Sequence, residues 1–115
     1  DPPYEPPAAE FARIFQALPQ VRRRFAAGVV VLWYPIKDRT SNTRMLRRVA
    51  ALGLGETLVA ELCVWPDDTT LRLNGSGMLI VNPPWQLEAV LAPELAWLWR
   101  QLAHDGQGRH DVRRL

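Results

Sequence analysis

The first four residues carry the groups of this chain that are best suited to chemistry. Asp1 supplies a carboxylate acceptor, Pro2 supplies a backbone carbonyl whose direction is stiffened by Pro3, and Tyr4 supplies an aromatic face. Two fixed acceptors could hold the N–H groups of an exocyclic amine such as that of adenine. Groups positioned in advance are effective at a reacting centre because they need not reorganise. A plain turn is the alternative, because Asp and Pro also favour turns.

A second turn of the same type lies near the end of the chain. The residues of Asn82-Pro83-Pro84-Trp85 follow an apolar run at 78–81, and a helix is predicted to begin near Gln86. This second turn has the better local context, because a strand leads directly into it. The order along the chain favours the first turn, since a doubly wound enzyme sheet needs further strand units after its catalytic turn.

The chain resembles the bacterial 23S rRNA adenine-N6 methyltransferases of the RlmJ type. The matching segments are Asp1–Glu5, Gly28–Lys37, Ala60–Val64 and Gly75–Leu87, in the expected order. The resemblance implies a Rossmann-like fold, S-adenosylmethionine as cofactor and 23S rRNA as partner. It also implies that Asp1 is the catalytic residue and lies beside the cofactor, and that Asn82 is structural. The aromatic ring of Tyr4 is independently predicted to stack on the substrate base.

The resemblance further implies that residues 1–115 are the C-terminal part of a single methyltransferase domain. The fold class expected is therefore α/β, as the C-terminal half of a Rossmann-like class I methyltransferase sheet with parallel strands and a final antiparallel strand. The N-terminal half that binds the cofactor would precede Asp1, so we expect this piece to be inactive alone. The glycines at 53–55 and 75–77 are predicted to form turns, because neither pair follows a strand and opens a helix.

Composition excludes several classes of protein. The chain has 48% hydrophobic residues and five Trp, which is typical of a globular protein. Its one cysteine, Cys63, excludes an intramolecular disulfide framework and a metal site built from several cysteines, and it favours a cytoplasmic location. His104 and His110 are predicted to be surface residues. No apolar run approaches the ~20 residues of a membrane span, and the net charge of +2 permits RNA binding without requiring it.

Alternating helix and strand patterns run through the chain. The predicted elements are a helix at 11–18 interrupted by Pro19, a strand at 28–33 buried on both faces, a helix capped by Ser41 or Asn42, a strand at 57–65, a strand at 78–82, a helix at 86–103 and a short edge strand at 109–115.

Three residues after the first predicted strand are candidate substrate contacts. In open α/β sheets, ligands bind at the carboxyl ends of the strands. Tyr34, Lys37 and Arg39 are therefore predicted to contact a phosphate or the substrate nucleotide, whose base must leave its helix to be methylated. A surface loop is the alternative for this segment. The remaining arginines fall on different elements, so we interpret them as solvent-exposed surface residues.

The residues and the resemblance together predict methyl transfer to the N6 of an adenine in 23S rRNA. The same chemistry on DNA is a rival, because few of these residues distinguish the two substrates. A third possibility is an α/β interaction module without catalysis, in which both Pro-Pro turns are structural.

Overall fold

The computed structural model describes residues 7–68 and 72–115. The candidate catalytic residues Asp1, Pro2, Pro3 and Tyr4 lie outside this described part. The elements within it are α1 (Pro7–Arg24), β1 (Val30–Ile36), α2 (Arg39–Ala50), β2 (Thr57–Cys63), β3 (Gly75–Val81), α3 (Leu87–Leu102), a 3-10 turn (His104–Gly106) and β4 (Arg109–Arg114).

The four described strands form one sheet in the order β1-β3-β2-β4, and every adjacent pair is antiparallel. The prediction of an α/β fold is confirmed, as is that of an edge strand near the C-terminus. The prediction of parallel neighbours is wrong for these strands. Parallel neighbours need a crossover of a dozen or more residues, and the shorter connection from β2 to β3 returns the chain beside β2. Because β1 and β2 both pair antiparallel with β3, they run in the same direction.

The core lies between one face of the sheet and helices α1 and α2. In β1 the side chains of Leu32, Tyr34 and Ile36 point into this core, while Val31, directly before Leu32, is 56% exposed. Burial of β1 on both faces was predicted, and the structure shows alternation instead, because α1 and α2 cover a single face of this strand. The core is completed by Phe15, Leu18, Leu46, Val49, Leu54, Val59, Leu79 and Val81.

Helix α3 lies on the other face of the sheet, against β2 and β4. Its side chains at Leu91, Leu95 and Leu98 line a groove whose floor includes Ala60 and Ile80. The predicted helix at 86–103 is therefore confirmed to within one residue at each end. None of the residues of α3 is fully buried, so the sheet is covered less completely on this face.

Two helix boundaries differ from the expectation. Pro19 is predicted to kink or divide the first helix, and α1 continues through it without division. Helix α2 is capped by Asp38, whose carboxylate accepts a hydrogen bond of 2.8 Å from the Ser41 backbone N–H. Asn42, one of the predicted caps, lies one turn further on and is buried. Asp38 takes the capping position because the extended backbone at the end of β1 directs its side chain onto the first turn.

Gly75 and Gly77 begin β3, so the predicted turn at these residues is wrong. Gly77 pairs with Tyr34 on one side and with Glu61 on the other. A Cβ atom at Gly77 would lie 2.2 Å from the Tyr34 ring, which crosses above it. The glycine therefore leaves the space through which Tyr34 reaches β2. The turn predicted at Gly53 and Gly55 is present, with both residues at positive φ.

The second Pro-Pro turn follows the carboxyl end of β3, at the sheet edge opposite to the carboxyl ends of β1 and β2. Asn82 has a left-handed backbone with φ of 57°. Its backbone N–H donates to the Glu56 carbonyl over 2.8 Å, and its side-chain amide lies 3.3 Å from the carbonyl oxygens of Ala27 and Gly28. Asn82 thus joins this turn to the segments that precede β1 and β2.

Replacement of Asn82 separates the two contributions of this residue. Asn82→Ala removes the side-chain hydrogen bonds and places a Cβ residue without polar compensation at positive φ, which costs about 1–2 kcal/mol. Asn82→Gly removes the same hydrogen bonds but adopts positive φ freely. Urea unfolding should therefore show Asn82→Ala to be less stable than Asn82→Gly, and both less stable than the unchanged chain. Equal stability of the two variants would contradict the backbone argument.

Candidate functional site

The carboxyl ends of β1 and β2 meet at one edge of the sheet, since the two strands run in the same direction. Lys37 and Arg39 follow β1, and Trp65 and Asp67 follow β2. These four residues are called the rim below. Both cationic residues of the rim are exposed, and the Arg39 side chain is 70% exposed. Two predicted substrate contacts, Lys37 and Arg39, thus lie together at the expected edge.

Asn74 connects the two halves of the rim. Its backbone N–H donates to the Ile36 carbonyl over 2.9 Å, and its side-chain amide donates to the Lys37 carbonyl. Its own backbone carbonyl accepts from the N–H groups of Val64 at 2.9 Å and Trp65 at 3.2 Å. The ends of β1 and β2 are therefore held to a single buried residue.

Beneath the rim, Glu61 is fully buried in the middle of β2 and collects donors from three other elements. Its Oε1 accepts from the Tyr34 hydroxyl at 2.8 Å and from the Asn42 amide at 2.5 Å. Its Oε2 accepts from the guanidinium groups of Arg109 at 2.8 Å and Arg113 at 3.2 Å. This carboxylate therefore binds β1, α2 and β4 to β2.

Asp67 extends the same network to the surface. Its Oδ1 accepts from the Arg39 Nη2 at 2.7 Å and Nε at 3.1 Å, and its Oδ2 accepts from the Arg109 Nε at 2.9 Å. Arg109 thus bridges Asp67 to Glu61. Gly108 permits this approach, because a Cβ atom there would lie 2.1 Å from the Cys63 carbonyl oxygen. The Glu61–Asp67 network, as these contacts are called below, fixes the guanidinium group of Arg39.

The network keeps both carboxylates ionised. Burial acts to raise the pKa of Glu61, but hydrogen bonds from Asn42, Arg109 and Tyr34 outweigh it and hold the pKa below its usual value. Burial likewise acts to raise the pKa of Asp67, and hydrogen bonds from Arg39 and Arg109 lower it overall. Burial and the adjacent Glu61 carboxylate raise the pKa of Tyr34, so its hydroxyl remains a donor.

The position of Tyr34 differs from that expected of a substrate contact. Its side chain is fully buried, and its hydroxyl donates to Glu61. Contact with a nucleotide would require the ring to leave this packed position. In the observed arrangement Tyr34 supports the rim from below.

The sequence prediction missed the residues that organise the site, namely Glu61, Asp67 and Arg109. One signal was available, since Glu61 is the single charged residue within the apolar β2 segment at 57–63. A buried carboxylate needs partners, so that position already indicated a cation nearby. The spacing along the chain gives no indication that Arg109 supplies it.

The chemistry that the rim can perform is binding rather than bond breaking. Cys63 is buried, and burial raises the pKa of its thiol to about 11, so it is not a thiolate nucleophile. Within residues 7–68 and 72–115, no group of carboxylate, histidine and cysteine side chains is placed to hold a metal ion. Exposed cations beside an aromatic ring suit phosphates and bases.

Neither of the two glycine pairs, at 53–55 and at 75–77, forms a loop that could bind a nucleotide cofactor. The glycines at 53 and 55 lie in a turn after a helix, and those at 75 and 77 lie in a strand. Neither arrangement is the strand-to-helix loop that binds a nucleotide. Across the same residues, no helix has the length and apolar character needed to cross a membrane.

Replacement of Glu61 should destabilise the fold more than any surface charge change. Glu61→Gln keeps the side-chain shape but removes the buried charge shared by Arg109 and Arg113, which then retain only Asp67 and Asp111, so we expect the free energy of unfolding to fall by about 1–3 kcal/mol. Glu56→Gln is the matched control, because Glu56 pairs with Arg114 at an exposed site and should change little. Urea unfolding of both variants tests this, and equal stability of Glu61→Gln and the unchanged chain would contradict it.

The same network sets the expected pH dependence. Because the folded pKa values of Glu61 and Asp67 are depressed, their contribution is fully present above the unfolded values of about 4 and is lost as the pH falls through the folded values. Unfolding measured at about pH 7 and about pH 3 should show a smaller decrease for Glu61→Gln than for the unchanged chain. An equal decrease would show that Glu61 is not a linked group.

Comparison with known proteins assigns the family. The family model described as "Ribosomal RNA large subunit methyltransferase D, RlmJ" matches residues 1–114. The chain is 36% identical over 112 residues to "Ribosomal RNA large subunit methyltransferase J" of Escherichia coli (strain K12). It is 34% identical over 112 residues to the protein of the same name from Haemophilus influenzae (strain ATCC 51907). Each alignment covers 97% of this chain and 40% of the relative, so the chain spans less than half of their length.

A solved structure shows the same fold. The crystal structure of a protein from Legionella pneumophila str. Philadelphia 1 superposes with a TM-score of 0.78 at 21% sequence identity. The match covers 98% of this chain and 41% of that protein. This structural match shows the fold, and the sequence matches over residues 1–114 show the family. The chain belongs to the RlmJ family of ribosomal RNA large subunit methyltransferases.

Proposed function

We propose that this chain is the C-terminal part of an enzyme that methylates the N6 of an adenine in 23S rRNA. The observation that carries the proposal is the family match over residues 1–114, which includes Asp1, Pro2, Pro3 and Tyr4. The curated relatives are named as methyltransferases of large-subunit ribosomal RNA. Ribosomal RNA of the large subunit is accordingly the substrate, and the bacterial cytoplasm is the expected location.

The proposed chemistry lies in the first four residues. The Asp1 carboxylate and the Pro2 carbonyl accept hydrogen bonds from the adenine amine, and Pro3 restricts the direction of that carbonyl. Tyr4 stacks on the base after it leaves its helix. S-adenosylmethionine would supply the electrophilic methyl group, with Asp1 beside it. The remaining cofactor contacts belong to the part of the enzyme that precedes Asp1.

The proposed role of the rim is to bind RNA next to that chemistry. Asp1 would follow a strand that ends at the same edge as β1 and β2, as ligand sites in open α/β sheets do. Lys37 and Arg39 then face the phosphates of the substrate. Arg39 suits this role because Asp67 fixes its guanidinium group while leaving the side chain 70% exposed. Tyr34 contributes by holding Glu61 in place.

Substitution of Asp1 in the full-length enzyme tests the proposed chemistry. Asp1→Ala removes one fixed acceptor and should lower kcat by about a hundredfold or more. Asp1→Asn retains an acceptor oxygen and should keep part of the activity. Asn82→Ala is the matched control at the second Pro-Pro turn, where we expect lower stability with methyl transfer retained. Loss of transfer in Asn82→Ala at a temperature where it is folded, with Asp1→Ala active, would move the active site to the second turn.

The substrate is tested by comparing methylation of naked 23S rRNA, assembled large subunits and duplex DNA by the full-length enzyme. We expect transfer to one or both RNA substrates and none to DNA. Transfer to DNA alone would replace the substrate while keeping the chemistry. Absence of transfer to all three, with S-adenosylmethionine bound, would favour an interaction module without catalysis.

The 115-residue chain alone should have negligible affinity for S-adenosylmethionine. The reason is that the glycines in its described part form a turn and a strand instead of a nucleotide-binding loop. Isothermal titration calorimetry should detect no binding to this chain, with the full-length enzyme as positive control. Micromolar binding to the chain alone would contradict the proposed division of the enzyme.

A further inference from the structure

Two side chains with planar groups pack against Trp65 of the rim, outside the Glu61–Asp67 network. The imidazole of His104 lies over the indole of Trp65, with ring centroids 3.9 Å apart and planes inclined by 36°. The guanidinium carbon of Arg72 lies 4.5 Å from the centroid of the Trp65 ring. Trp65, His104 and Arg72 are called the stacking cluster below.

The backbone holds this cluster in position. The Trp65 N–H donates to the Asn74 carbonyl over 3.2 Å, and the His104 N–H donates to the Val64 carbonyl over 3.0 Å. Asp105 follows with a left-handed backbone, and its carboxylate lies 3.4 Å from the His104 imidazole. The connections from β2 to β3 and from α3 to β4 are thus joined where the rings meet. The rings are organised before any ligand arrives.

The cluster remains open to solvent. The His104 side chain is 52% exposed, Arg72 is exposed, and Trp65 is half-buried. Proteins that recognise unpaired RNA stack its bases on aromatic rings, on histidine and on the guanidinium planes of arginine. Stacking of this kind tolerates any base, because each base has a flat face. The composition and exposure of the cluster match this type of ligand.

We propose that the stacking cluster binds an unpaired base of the RNA substrate, separate from the base that is methylated. Its position supports this, because Asn74 bonds both to Trp65 and to Ile36, directly before Lys37. A strand of RNA that places phosphates on Lys37 and Arg39 would therefore bring a neighbouring base to the cluster. The identity of the RNA rests on the proposed function, whereas the stacking itself does not.

The test uses the full-length enzyme and fluorescence anisotropy with an unstructured RNA oligonucleotide and an RNA duplex of equal length. His104→Ala should weaken binding of the single strand about tenfold, as expected for the loss of one stacked base, and leave duplex binding unchanged. His104→Phe keeps an aromatic ring at this position and should retain the affinity. In methylation of rRNA, His104→Ala should raise KM and keep kcat.

His110→Ala is the matched control. His110 is also exposed and lies near a tryptophan, with its ring centroid 5.5 Å from that of Trp99, but outside the cluster. We expect it to bind both RNAs like the unchanged enzyme. Unchanged binding by His104→Ala, equal weakening by His104→Phe, or equal weakening by His110→Ala would each overturn the proposal. Because binding is measured without catalysis, failure of the proposed methylation would leave this test intact.

Discussion

The structure depends on one buried carboxylate. Glu61 lies in the middle of β2 with no exposed surface and accepts hydrogen bonds from Tyr34, Asn42, Arg109 and Arg113. An isolated charge in this position would be strongly unfavourable, so the surrounding elements must supply donors with good geometry. The donors come from β1, α2 and β4, so a single carboxylate is bound by three other elements. Glu61 therefore specifies how β1, α2 and β4 are placed around β2.

This constraint also explains features that have no role in chemistry. Gly77 has no side chain because the Tyr34 ring crosses above it to reach Glu61. Gly108 allows the chain to pass close to Cys63, so that Arg109 can bridge Glu61 and Asp67. The outer member of the network, Arg39, reaches solvent at the rim. A buried network thus ends in an exposed cation whose position is fixed.

Local patterns predicted most of the elements but little of their arrangement. Apolar periodicity located α3 and the apolar parts of the strands, because burial of one face imposes a spacing that is visible in the sequence. The strand order was missed, since β3 pairs between β1 and β2 through contacts that no local pattern records. The direction of Tyr34 was missed for the same reason, as its partner Glu61 lies on a strand that β3 separates from β1. Asp38 was missed as a cap because its role depends on where β1 ends.

The two Pro-Pro turns also show that local sequence alone is insufficient to assign the candidate site. Their residues are nearly alike, so the local sequence alone does not separate a catalytic turn from a structural one. The topology provides a distinction, because Asn82 follows β3 at the sheet edge opposite to the rim, whereas β1 and β2 end at the rim. The proposal places methyl transfer at Asp1 and RNA binding at Lys37, Arg39 and Trp65. It is consistent only if all four residues face the substrate from the same edge of the sheet, the rim.

Photochemical cross-linking of the full-length enzyme to 23S rRNA, its proposed substrate, followed by mass spectrometry, tests this central claim most directly. The two edges carry tryptophans that report on contact, Trp65 at the rim and Trp85, which is 87% exposed, at the opposite edge. The account predicts cross-linked peptides that contain Lys37, Arg39 or Trp65. Cross-links confined to the peptide with Asn82 and Trp85 would contradict it, because the substrate would then lie at the wrong edge of the sheet.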